Sequence, residues 1–372
     1  MQKLFSSIAC NLDSNLLLAA LPLFASQKVQ GIEWSFDTLF GFEKVPDWFE
    51  ELLNVFSEEE RLVGHGVFFS LFSGKWSEGQ QTWLNHLREV SAKYQFDHVT
   101  EHFGFMTGEN FHKGAPISIP FTKATLALGQ DRLKRIAEAA NCPVGLENLA
   151  FAYSIEEVQR HGEFLSKLLE PVNGFIILDL HNLYCQLHNF SVAYEELIPF
   201  YPLDRVREIH ISGGSWVSSE VEAGTQIRRD THDDAVPEEV FDLLKKTIPL
   251  CPNLKFVVLE QLGTGLKTEV QKQQFQKDFF RMEAIVRKFD ASNNFQNTPF
   301  ALPSLDVPNT PIEDQELLEQ QQLLTDILEN AVDYQQARDR LSSSVLANSS
   351  WEIESWEPKM LETVVKIARK WK

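Results

Sequence analysis

The sequence predicts an α/β fold of the (β/α)8 TIM-barrel type with a C-terminal helical extension. Three observations carry that expectation. Short apolar runs recur through roughly the first 290 residues, each is followed by a helix-length amphipathic segment, and the unit occurs eight times. Buried parallel strands read as near-continuous apolar runs between crossover helices, and eight such units suit a closed barrel better than an open doubly wound sheet.

Taken in order, Leu4–Cys10 is the first strand and Ser14–Gln27 its helix, and Gly31–Phe36 precedes a helix at Val45–Ser57. Leu62–Phe69 leads into Ser77–Tyr94, Phe96–Phe103 into Thr122–Ala140, and Pro143–Leu149 into Ile155–Leu169. Gly174–Leu180 is followed by Val192–Phe200, Val206–Ile211 by Pro237–Leu250, and Lys255–Glu260 by Leu266–Phe289. The barrel is therefore expected over residues 1–289. Residues 290–312 differ: Pro299, Pro303, Pro308 and Pro311 stand among Asn and Ser with no basic residue, which predicts a linker or an arm laid over the barrel. Residues 313–372 read as a helical extension. Glu313–Arg340 places Leu317, Leu324, Ile327, Leu328 and Val332 on one side at helical spacing, and Lys359–Trp371 is a second, shorter helix. The stripe predicts packing on the barrel, with a docking surface for a partner or peptide as the alternative.

The chain has 372 residues, 43% hydrophobic and 23% charged, with 34 basic against 53 acidic side chains and a formal net charge of −19. This length and apolar content exclude wholesale disorder and allow a large core. Gripping phosphate backbones needs clustered Lys and Arg, so nucleic acid is not an expected partner; metal cations are not excluded. Cys10, Cys142, Cys185 and Cys251 form no CxxC pair, which points to a reducing, cytoplasmic setting. Export is not expected, because Asp13 precedes the apolar run Leu16–Ala25 and Leu4–Cys10 already reads as a strand. No stretch approaches the length of a membrane span.

Reactive groups in such a barrel gather at the C-terminal ends of the strands. Those ends carry His65, His102, Glu147 with Asn148, Asp179 with His181 and Asn182, His210, and Glu260; the loop after the seventh strand adds Asp230 and His232. A single histidine or acid there is ordinarily just hydrogen-bonded. Six of eight strands bearing one at the same end is a different matter, because such groups are costly in an apolar strand unless paired or bound to metal. Four histidines and four carboxylates at one mouth can neutralise two or three divalent ions, whereas without cations the acids repel one another. The nitrogen and oxygen donors suit iron, manganese or zinc without choosing between them. Elsewhere, His86 and His161 fall in helical patterns and read as solvated or capping residues. His98 sits early in its strand, away from the mouth, while His112 and His188 lie in loops.

The order His65, His102, Glu147, Asp179, Asn182, His210, Asp230, His232, Glu260 resembles two related groups of metal-dependent barrels. One is the endonuclease IV type of apurinic-site nuclease, which has a histidine at the position of Asn182. The other is the family of multinuclear non-haem iron-dependent oxidative enzymes, long a domain of unknown function, that includes the methanobactin-biosynthesis oxidase. The strings GIEWSF, GHGVFFSL, TEHFGF, PISIPFT, GLENLA, LDLHN, EIHISGG and DTHDD look like the second family over about residues 1–270, and residues 290–372 fall outside the resemblance.

That resemblance implies one iron on His65, His102 and Glu147. Glu147 then bridges to a second iron completed by Asp179, His210 and Glu260, and Asn182, Asp230 and His232 form a third, more labile position. It implies two to three irons in a mixed Fe(II)/Fe(III) state, O2 as co-substrate, and oxidation of a Cys or C-terminal residue of a ribosomally synthesised precursor peptide. A small protein that recognises the leader commonly assists. His181 is left between ligand, support and substrate contact, and Arg228 and Arg229 either receive a peptide carboxylate or serve as plain surface charges. The long loop Gly213–Arg229, opening on two glycines, is a candidate lid. The alternatives are a zinc- or manganese-dependent hydrolase or isomerase and a metal-binding protein without turnover.

Overall fold

A computed structural model describes residues 3–42, 44–107, 116–292 and 300–371. Its strands are β1 (Phe5–Ala9), β2 (Gly31–Trp34), β3 (Leu62–His65), β4 (Val99–His102), β5 (Phe105–Met106) and β6 (Pro116–Ile117). Then come β7 (Val144–Glu147), β8 (Phe175–Asp179), β9 (Val206–Ile211), β10 (Trp216–Ser218), β11 (Gln226–Arg228) and β12 (Phe256–Leu259). The helices begin with α1 (Ser14–Ala25), α2 (Asp47–Glu58), α3 (Glu78–Lys93), α4 (Lys123–Ala140), α5 (Ile155–Leu169) and α6 (Leu180–Asn189). They continue with α7 (Tyr194–Leu197), α8 (Glu238–Thr247), α9 (Glu269–Ser292), α10 (Gln315–Asn330), α11 (Tyr334–Ser342) and α12 (Pro358–Trp371).

Eight parallel strands close into a barrel in the order β1-β12-β9-β8-β7-β4-β3-β2, which is the TIM-barrel architecture expected from the repeat. Strands such as β8, FIILD, are buried along their whole length, so both faces are apolar until the last residue. Helix starts are fixed locally. Asp13 accepts from the amides of Asn15 and Leu16 before α1, and Ser77 with Gln80 and Thr122 with Thr125 form reciprocal caps before α3 and α4.

The structure departs from the expected elements in four places. A ten-residue helix, α6, follows β8 with no intervening loop, because Asp179 ends the strand and caps the helix through Asn182 N at 2.6 Å. The expected Val192–Phe200 helix shrinks to α7 and a 3₁₀ turn. Two hairpins, β5–β6 and β10–β11, stand on the loops after β4 and β9. The Glu313–Arg340 helix breaks at 331–333, where Asp333 caps α11 through Gln336 N; Val332 is 66% exposed rather than part of the buried stripe.

Residues 300–314 run along the barrel wall. Phe300 tilts against Phe175 at the barrel floor, Arg135 donates to Pro308 O at 2.8 Å, and Arg132 to Ile312 O at 2.7 Å. Gln321 of α10 then grips Gly74 N and Phe72 O, tying the extension to the loop before α3.

Candidate metal centre

The strand register delivers the mouth residues to one level. His65 pairs with Thr100, His102 with Glu147, and Asp179 with His210 across neighbouring strands. Two groups of potential ligand atoms result, His65–His102–Glu147 and Glu147–Asp179–His210–Glu260, and they share Glu147. His65 Nε2 and His102 Nε2 lie 3.4 and 3.5 Å from Glu147 Oε2. On the other side, His210 Nδ1 is 3.7 Å from Glu147 Oε1, 3.9 Å from Asp179 Oδ2 and 3.3 Å from Glu260 Oε2.

Hydrogen bonds set which atoms face inward. Thr100 Oγ1 donates to Gly64 O, so it accepts from His65 Nδ1 at 2.8 Å and leaves His65 Nε2 as a bare lone pair towards Glu147. Asp179 spends Oδ1 on the α6 cap while Oδ2 is buried without a hydrogen-bond partner. Asn182 donates through Nδ2 to Asn148 O at 2.8 Å and Glu147 Oε1 at 3.3 Å, and its Oδ1 is likewise buried and unpartnered. Buried lone pairs of this kind cost free energy unless an electron-pair acceptor is present. These oxygen and imidazole atoms fit a divalent cation.

The electrostatics agree. Burial raises Glu147 well above the usual carboxyl range, with Asp179, Glu260 and Asp230 adding to it and His210 opposing. Asp179 is pushed up to about 7 by burial and by Asp230. Burial and neighbouring imidazoles hold His65 well below its ordinary value. His210 goes the other way, since Glu33, Glu208 and Glu260 outweigh its burial.

The third set is arranged differently. Asp230 Oδ1 sits 2.7 Å from His232 Nε2, and His232 Nδ1 is 3.3 Å from Glu260 Oε1, so these two side chains hold each other on the rim. His232 has φ +50°, an uncommon conformation for a residue other than glycine and one that recurs at functional sites.

His181 is fully buried with both ring nitrogens engaged: Nδ1 donates to Asp230 Oδ1 at 3.0 Å and Nε2 accepts from Arg228 Nε at 3.0 Å. That makes it a brace for Asp230 rather than a free ligand or substrate contact. Arg228 is buried too, over the Trp216 ring at 5.0 Å, so only Arg229 remains at the rim beside Asp230. The Gly213–Arg229 loop is not a free lid. A Cβ on Gly214 would meet Arg229 O at 2.2 Å, so this glycine serves close approach at the hairpin base. At the tip, Glu362 of α12 accepts from Ser219 Oγ at 2.7 Å and Glu220 N at 3.0 Å.

Three partners escaped sequence reasoning. Thr100 is one; Glu33 of β2 and Glu208 of β9 are the others, buried beneath His210 with Glu33 Oε2 2.9 Å and Glu208 Oε1 3.6 Å from its Nε2. Glu33, Glu208 and His210 also form a group of ligand-type atoms, but His210 already presents Nδ1 to the mouth, so the two glutamates read as its outer support. The alternation of β2, where Glu33 lies in a fully buried strand, was the available signal. His98 lies away from the mouth as expected, bridging Asp97 and Glu208 at the barrel floor, whereas His161 is buried rather than solvated. His112 lies outside the described residues.

Comparison with known proteins adds a family. The chain is 27% identical over 188 residues to a UPF0276 protein of Caulobacter vibrioides, covering 48% of this chain and 61% of that protein. It is 28% identical over 185 residues to another from Chromobacterium violaceum, covering 50% and 64%. These matches thus span less than two thirds of the relatives' length. Among solved structures, an L-ribulose 3-epimerase aligns with a TM-score of 0.47 at 12% identity, over 77% of this chain and 95% of that one. A probable 3-DHS dehydratase from Bacillus anthracis aligns at 0.44 and 14%, over 74% and 98%. The family described as "RiPP precursor modification enzyme MbnB/TglH/ChrH" matches residues 41–265, more than half of the chain. The chain therefore belongs to the MbnB/TglH/ChrH family of RiPP precursor modification enzymes.

Proposed function

We propose that the protein is a multinuclear iron-dependent, O2-using oxidase that modifies a Cys or C-terminal residue of a ribosomally synthesised precursor peptide. The observation that supports this reading most is the pair of ligand groups sharing Glu147 in a chain of a precursor-modifying family. Bound iron supplies Lewis acidity and one-electron chemistry with O2. The chain's own residues do the rest. His65, His102 and Glu147 would hold one ion, Asp179, His210 and Glu260 together with Glu147 a second, and Asn182, Asp230 and His232 a third more loosely. Thr100, Glu33 and Glu208 keep the imidazoles aimed, and Arg229 at the rim receives a peptide carboxylate. The setting is cytoplasmic, and a small leader-recognition protein is the partner in this reading. No described helix is long and apolar enough to cross a membrane.

Protein purified without O2 is expected to carry roughly two to three irons per chain and to consume O2 only when given its precursor peptide. Glu147→Ala is expected to lose both ions of the bridged pair together with turnover. Full iron loading and O2 uptake in Glu147→Ala would overturn the assignment. Because nitrogen and oxygen donors also hold zinc and manganese, the same protein loaded with either ion is the control. Turnover of a sugar or phosphoester with no O2 uptake would favour the hydrolase or isomerase reading.

A further inference from the structure

On the mouth side of the barrel, but outside its wall, the C-terminal extension closes a cavity of about 190 Å³ that the metal centre does not use. Its inner side comes from the turns after β6 and β7 and from α5, and its outer side from Trp351 and Trp356. Consecutive residues divide between the two places, with His102 belonging to the ligand group and Phe103 lining the cavity. The walls are flat ring faces: Trp356 stacks on Tyr153 at 3.7 Å and Phe121 on Phe164 at 4.4 Å. A cavity of about 150 Å³ with apolar walls already holds a benzene ring, so this one admits a six-membered ring with a substituent.

Its polar atoms point to what that substituent is. The Tyr201 hydroxyl donates to Gln186 Oε1, which fixes the amide so that Nε2 donates to Leu149 O at 2.7 Å and to His161 Nδ1 at 3.5 Å. His161 therefore accepts at Nδ1 and carries its proton on Nε2, in keeping with burial pulling its pKa down to about 4. His161 Nε2 and Tyr153 Oη both lack a partner, although the residues are 4% and 3% exposed. Glu157 faces the same cavity as a hydrogen-bond acceptor, its carboxyl already receiving Tyr153 N at 2.6 Å. Leaving two buried donors unmatched costs about 1–3 kcal/mol each, which favours a ligand that brings an acceptor oxygen.

We propose that this cavity is an anchoring subsite for a tyrosine side chain of the peptide substrate, its ring between the aromatic walls and its hydroxyl accepting from His161 and Tyr153 while donating to Glu157. The inference rests on the precursor-peptide reading for the nature of the ligand. It assigns the extension, which lies outside the family match, a part in choosing the peptide.

The test uses the full-length protein and two probes, N-acetyl-tyrosinamide and N-acetyl-phenylalaninamide, titrated by calorimetry and by the fluorescence of Trp351 and Trp356. One saturable site is expected, with the tyrosine probe bound about tenfold more tightly. His161→Phe and Tyr153→Phe are each expected to erase most of that preference while metal content stays unchanged. If His161→Phe fails to fold by circular dichroism, the milder Tyr153→Phe carries the test. Absence of saturable binding, or a preference that survives the removal of either donor, would overturn the proposal. Probe binding needs neither iron nor turnover, so failure of the oxidase reading and failure of this subsite appear in separate measurements.

Discussion

The barrel buries two polar clusters, and they follow opposite rules. At the floor, Asp97 meets Arg207 at 2.7 Å, His98 at 2.8 Å and Lys255, and His98 reaches Glu208 at 2.7 Å, so each charge has an opposite neighbour. At the mouth, Glu147, Asp179, Asp230 and Glu260 have only histidines within ion-pair range among the described residues. Burial alone would raise Asp97, but His98, Arg207 and Lys255 bring it below the usual carboxylate range; at the mouth His232 and His210 hold Asp230 and Glu260 down, whereas Glu147 and Asp179 are driven up. A buried charge balanced from within supports the fold. One left unbalanced calls for a complement outside the chain, and the oxygen and imidazole donors at the mouth suit a cation.

The largest effects should come from removing one carboxylate at each end. Asp97→Asn strands three basic groups at the floor and is expected to cost about 3–5 kcal/mol in urea unfolding, with metal content unchanged. Asp179→Asn keeps the α6 cap and removes a carboxylate that burial disfavours. It should therefore stabilise the metal-free protein by about 1–3 kcal/mol while lowering its metal content. Equal signs for the two variants would erase the distinction.

Acid separates the clusters next. The pKa of native Asp97 is depressed, so its contribution is present above about pH 4 and is lost as pH falls through the native value. His98, Arg207 and Lys255 face it. Wild-type protein should lose stability over that interval, and Asp97→Asn should lose much less, as read by thermal unfolding at a series of pH values.

A smaller effect, confined to the mouth, should follow Thr100→Val, which removes the acceptor that orients His65. Metal affinity is expected to fall about 10–100-fold in chelator competition with little change in unfolding. The smallest concerns the hairpin: Glu362→Gln weakens the hold on its tip by about 1 kcal/mol. Faster protease cleavage between Ser219 and Thr225 with unaltered metal content is the expected readout.

How much of this was legible beforehand follows from distance along the chain. The barrel strands read correctly because a buried parallel strand is an apolar run, and the mouth residues stood out because each interrupts such a run at its end. Strand lengths were overestimated, as in β3, where the apolar string continues past His65 into a loop. The α6 helix was missed because LHNLYCQLHN mixes donors and apolar residues without a clean stripe, and its start depends on one aspartate that also ends a strand. His181 was ambiguous for a related reason, since its partners Arg228 and Asp230 lie almost fifty residues away on a hairpin with no strong local signal.

By itself, the sequence determined the repeating βα units, the strand ends that carry ligand-type residues, and the family, because these depend on local periodicity and residue type. Only the tertiary structure decided which lone pairs are free, that Glu147 is common to two ligand groups, and that Glu33 and Glu208 stand beneath His210. It also joined Tyr153 and His161 to a tryptophan about 200 residues further on in one cavity. Those outcomes depend on strand register and on long-range closure of the chain, and neither is written in any short stretch of residues.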